Sequence, residues 1–158
     1  FFFMNYKYIN IYNNLVRLTR NKDLYQNFKN QDTFSDRLIL LLLHFAFFLK
    51  RYKNEESKET LQDIYDYFFR QLELSIREIG YGDQSINKKM KDYLNNFHGM
   101  LDRIHLWGES KDEDKINILS AFIEESKNLA FLADYFDKFN TILLKNTLNF
   151  YIKGVIKT

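Results

Sequence analysis

The run "LILLLLHFAFFL", Leu38 to Leu49, limits what this chain can fold into more than any other stretch. Twelve helical residues span about 18 Å, well short of the roughly 30 Å hydrocarbon core of a bilayer. Arg37 closes one end, and Lys50 and Arg51 close the other. A helix that is apolar on every side and too short to cross a membrane is a buried one. The rest of the chain has to wrap it, and no later apolar run is longer.

The wrapping reads as helical too. Apolar residues recur at three- and four-residue spacing, and strict alternation is rare. No proline occurs, so only glycine and polar clusters can end a helix. The spacing predicts a first helix over Ile9–Thr19, a short one near Asp23–Lys29, and the Leu-rich helix running through Tyr52 behind Ser35 or Asp36. Thr60 is placed to cap a helix reaching Ile79, with Leu61, Ile64, Tyr65, Phe68, Leu72 and Ile76 on one stripe. Gly80 then stands where a left-handed residue ends a helix. A further helix is expected from Ile86 to Trp107, and Lys115–Ile152 reads as one long helix or two broken near Asn140 or Asn146. "KNEESKE" reads as a solvated link and "GESKDEDK" as an acidic one.

Phe122, Leu129, Phe136, Leu143 and Phe150 repeat every seven residues, with Leu132 and Phe139 beside them. Such a stripe reads as a face packed on the protein's own core, with a seam for a partner helix as the alternative. The expectation is one all-α domain over residues 1–158, of about six helices, with a Gly-x-Gly hairpin between the two central ones. The opening "FFFMNYKY" is too short for a secretory core. Phe1 does not initiate translation, so residues 1–8 read as disordered or extraneous.

A chain of 158 residues suits one domain, able to bury roughly 68–70% of its unfolded surface. Charged residues are 28% and the net charge is only +2, so any basic function is local and DNA binding is not expected. The absence of cysteine removes disulfides, thiol catalysis and Cys-based zinc sites. The 16 Phe and 11 Tyr, with abundant Asn, Lys and Ile, fit an AT-rich genome; a sticky apolar surface is the sharper alternative.

Catalytic constellations are thin. His98, Asp102 and His105 share a helical face, but a fourth ligand and supporting partners are not evident. His44, inside the Leu-rich helix, reads as a hydrogen-bonded core histidine. No Ser or Thr stands in a nucleophile signature. Gly80-Tyr81-Gly82-Asp83 lacks the remaining residues of a dinucleotide fingerprint or a P-loop, and it joins two helices where those motifs follow a strand. Neither an enzyme, a cofactor nor a metal site is expected. Lys88, Lys89 and Lys91 are unusual at a helix start, where the dipole favours anions. The segment is either a solvated helix hairpin or a loop that docks an acidic partner.

Three blocks carry a resemblance. "YNNLVRLTRNKDLYQNF" (Tyr12–Phe28), "QDTFSDRLILLLLH" (Gln31–His44) and "IREIGYGDQSINKKMK" (Ile76–Lys91) stand in the order of the ubiquinol–cytochrome c chaperone family. That family includes a mitochondrial assembly factor for respiratory complex III and alphaproteobacterial counterparts. The likeness is clear from Tyr12 to Gly99 and looser through "LADYF". Asp32, Thr33, Arg37 and His44 match the second block; Arg77, Glu78, Gly80, Gly82, Asp83, Lys88, Lys89 and Lys91 match the third. Asp36 replaces the family's glycine, Asn87 its common proline, His98 its tyrosine, and Met100 its arginine after Gly99.

The resemblance implies a non-enzymatic assembly chaperone that binds newly made cytochrome b and assists assembly of ubiquinol–cytochrome c reductase. A small co-chaperone, a ribosome or an anionic membrane surface are further implied partners. A general ribosome- or membrane-surface-binding adaptor is the alternative. Gly80, Gly82, Asp83 and the three lysines are the expected partner-binding residues. Asp32, Thr33, Arg37, His44, Arg77 and Glu78 are the expected structural ones, with Arg77 paired to Asp83 or an inward acid. The implied location is cytoplasmic with peripheral membrane association, or the matrix side in a mitochondrion.

Overall fold

The computed structural model describes residues 6–26, 34–80, 82–124 and 128–157. Among them are seven α-helices and no strand: α1 (Ile9–Thr19), α2 (Phe34–Tyr52), α3 (Lys58–Glu78), α4 (Asp83–Ile104), α5 (Asp112–Ser120), α6 (Leu129–Leu143) and α7 (Leu148–Lys153). None is long and apolar enough to cross a membrane. Short 3-10 turns lie at Tyr6–Tyr8, Lys22–Tyr25 and Trp107–Glu109.

The Leu-rich helix is the hub: α2 packs against α1, α4 and α6. Phe45, Phe47 and Phe48 are fully buried, each burial stabilising the fold by roughly 2 kcal/mol. Phe45 stacks on Phe68 of α3 with ring centres 3.8 Å apart and on Phe97 of α4 at 5.2 Å. On another side Phe47 stacks on Phe136 of α6 and meets the Trp107 indole edge-on, both at 5.0 Å. The aromatic wealth of the sequence is therefore mostly core. Among the described residues only Tyr6, Phe34 and Phe150 are exposed large aromatics.

Polar ties fix the outer helices. Arg51, at the end of α2, donates to the carbonyls of Leu143 and Asn146, and the Tyr52 hydroxyl donates to Asn146. A cation is thus held over the open C-terminal end of α6, where the dipole is negative. Asp137 of α6 accepts from the Trp107 indole at 2.8 Å and from Lys115 at 2.7 Å, anchoring α5 and the turn before it.

Several boundaries differ from expectation. Ser57, not Thr60, caps α3: its backbone is extended and its hydroxyl accepts from the Thr60 amide. The last third of the described chain holds three helices: α5 ends at Ser120 and α6 starts at Leu129, ahead of the anticipated break at Asn146. Asn128 restarts the chain by accepting from the Phe131 amide. The seven-residue stripe accordingly runs over separate elements. Leu129, Phe136 and Leu143 are core, Phe122 is half-buried and Phe150 is 49% exposed. Of the opening residues, 1–5 lie outside the described residues, while Tyr6–Tyr8 form a turn and Tyr8 is buried with its ring near Tyr67.

Candidate functional site: a lysine-bearing hairpin and an apolar groove

α3 and α4 form an antiparallel pair, and each end of it carries a candidate surface. At the hairpin end, α3 stops where Gly80 takes φ +106°, a conformation open to glycine and strained for other residues. Gly82 is extended and serves as the N-cap of α4. Asp83 is therefore in the first turn, where an anion is favoured. It also accepts from Arg77 at 2.5 Å, across the hairpin, while Glu73 lies 3.8 Å from the same guanidinium. Asp83 is 83% exposed, so the pair is largely screened by water.

This geometry removes the difficulty of cations at a helix start. α4 begins three residues before the expected Ile86, so Lys88 lies in the second turn, beyond the reach of the dipole. Lys88 and Lys91 are exposed and three residues apart, which puts them on one face. Lys89 is half-buried and interacts within the chain. The basic face thus has two exposed members, not three.

The remaining motif residues scatter. Glu78 and Arg37 are exposed, and Arg37 has a contact within the chain. Asp32 and Thr33 lie outside the described residues. His44 is fully buried among the rings of Tyr135, Phe136 and Phe139. Its Nδ1 is 2.7 Å from the Leu40 carbonyl and its Nε2 is 2.7 Å from the Tyr135 hydroxyl. A carbonyl only accepts, so Nδ1 carries the proton and Tyr135 donates to Nε2. Burial pushes the His44 pKa down to about 4, although the Leu40 carbonyl pulls it the other way. A neutral, doubly satisfied histidine in the core is a packing group.

The face with His98, Asp102 and His105 does not converge. His98 Nε2 is 3.1 Å from the Tyr65 hydroxyl, and His105 Nδ1 faces the Asp102 backbone carbonyl, not its carboxylate. Among the described residues no group of three His, Asp or Glu is placed to hold a metal.

The opposite end of the α3–α4 pair holds a feature that sequence reading missed. The end of α2 and the facing parts of α3 and α4 leave an open groove of about 730 Å³, floored by Leu49, Leu61, Tyr65 and Leu101. A smaller adjoining hollow of about 200 Å³ reaches Lys50 and His105. Its residues come from segments up to 56 positions apart, so no local pattern announces it. His98 stands on its wall, and Met100 in the same helix is fully buried in the core.

The comparisons with known proteins agree with this architecture. A search of curated proteins finds no match. Among solved structures, the chain is similar to the crystal structure of the Cbp3 homolog from Brucella abortus, with a TM-score of 0.75 and 24% identity. The match covers 96% of this chain and 88% of that one, and at this identity it speaks for a shared fold. The family model described as "Ubiquinol-cytochrome C chaperone" matches residues 26–136, which contain both the hairpin and the groove. By that match over more than two thirds of its length, the chain belongs to the ubiquinol–cytochrome c chaperone family.

Proposed function

We propose that this protein is a non-enzymatic chaperone that holds newly made cytochrome b during assembly of ubiquinol–cytochrome c reductase. The observation that carries the reading is the family match over residues 26–136. The geometry is consistent with a binding role: the histidines are committed to internal hydrogen bonds, and the features facing solvent include a basic hairpin and an apolar groove. Lys88 and Lys91 meet an acidic element, which is a client loop, ribosomal RNA or anionic lipid heads. Gly80, Gly82 and Asp83 set the hairpin that presents them. The protein works on the cytoplasmic side of the membrane, or the matrix side in a mitochondrion, as a peripheral component.

Affinity capture of the tagged chain from gently solubilised, translating membranes tests this. Cytochrome b should dominate the co-purifying membrane proteins, and Lys88→Glu with Lys91→Glu should weaken its capture at unchanged helical content. A broad mixture of membrane proteins with ribosomal proteins would instead indicate a general adaptor.

A further inference from the structure

The groove between α2, α3 and α4 has a chemistry of its own, separate from the hairpin. Its floor is aliphatic and aromatic, and its lining includes Lys50, Lys53, Lys58, His98 and His105 but no Asp or Glu. Lys50, Lys53 and Lys58 make no ion pair among the described residues. Lys50 is half-buried, and burial pushes its ammonium pKa down even though Glu109 pulls it up. Cations are therefore gathered around apolar surface with no carboxylate at ion-pairing distance among the described residues, Glu109 acting on Lys50 from farther off. An occupant that supplied carboxylates would relieve both conditions at once.

The shape narrows the occupant. The groove is partly open to solvent and not a closed slot of the kind that encloses an acyl chain. From Lys58 to Tyr65 the wall follows about 10 Å of α3, close to two helical turns. That length matches anchors at i, i+3 or i+4, and i+7 of a helix laid in a groove. We infer that this groove docks an amphipathic helix of a partner protein whose apolar stripe is flanked by Asp and Glu. Leu49, Leu61, Tyr65 and Leu101 receive the apolar anchors. Lys50, Lys53 and Lys58 meet the flanking carboxylates, which sets orientation and makes the encounter salt-dependent. The inference stands whether or not the hairpin lysines contact cytochrome b.

The test is selection from a displayed library of ~14-residue helix-forming peptides, about four turns long, against the whole chain. Enriched peptides are then measured by fluorescence anisotropy on the wild type and on two variants. Peptides with an apolar stripe flanked by Asp or Glu should be enriched. They should bind at least tenfold more weakly to K50Q/K53Q/K58Q, and more weakly to the wild type as salt is raised. Binding to K88E/K91E should be unchanged, which separates this surface from the hairpin. Circular dichroism establishes that each variant is folded. The inference is overturned if no peptide is enriched over the glutamine variant, or if the enriched peptides are neutral or basic. It also fails if phosphatidylglycerol vesicles bind in a lysine-dependent way while no peptide does.

Discussion

Asn14 ties the two ends of the described chain together with one side chain. Its amide nitrogen donates to the Gly154 carbonyl at 3.0 Å, and its oxygen accepts from the Ile156 amide at 3.0 Å. Arg17 adds a donor to the Ile156 carbonyl, and Ile156 is fully buried against the core. Asn14→Ala leaves both backbone groups without their partner, a loss of roughly 2–3 kcal/mol that urea unfolding would register as a lower midpoint at unchanged slope. His44 makes a pH prediction. The unfolded chain takes up the histidine proton near pH 6.5, while the folded one resists until about 4. The unfolded state therefore binds more protons between those values, so stability is full above about 6.5 and falls as pH drops toward 4, by about 3 kcal/mol in all. Stability against pH for wild type and His44→Leu checks this: the difference between the two curves should slope across that window and be flat above it.

The α3–α4 hairpin depends on one backbone conformation. A Cβ at Gly80 would meet nothing within 4 Å, so the cost of Gly80→Ala is the left-handed backbone alone, about 1 kcal/mol. For a domain of this size that is a melting-temperature drop of about 2–4 °C. Gly82→Ala, at an extended N-cap with φ −73°, should change it much less. Arg77→Ala should lower the melting temperature more than Lys88→Ala, because Arg77 bridges α3 to Asp83 while Lys88 faces solvent in α4. Its effect should shrink as salt is raised, since both partners are open to water. Comparable melting shifts for the two substitutions would mean that the bridge adds nothing to the hairpin.

Across the whole molecule, the readable parts of the sequence are those where one local signal dominates. α1 spans Ile9–Thr19 as its periodicity indicated, and α2 ends at Tyr52 where charge replaces the apolar run. The end of α3 was legible from Gly80. The start of α4 was not, since its N-cap is Gly82, which has no side-chain oxygen to announce it. The gap between α5 and α6 has neither glycine nor proline, and "ILSAFI" continues the apolar spacing across it, so only packing reveals that break. The hairpin motif could be found because its residues are consecutive. The groove could not, because half-buried leucines look like any others until three helices bring Leu49, Leu61 and Leu101 together. The central claim, that the chain serves the assembly of one respiratory complex, is tested most directly by removing it from its own cells. The measurement is the amount of assembled ubiquinol–cytochrome c reductase, alongside the lifetime of pulse-labelled cytochrome b. The account predicts that the complex falls and new cytochrome b decays faster, with other respiratory complexes spared and recovery on re-expression of the wild type. Normal levels of the complex and an unchanged cytochrome b lifetime would contradict it.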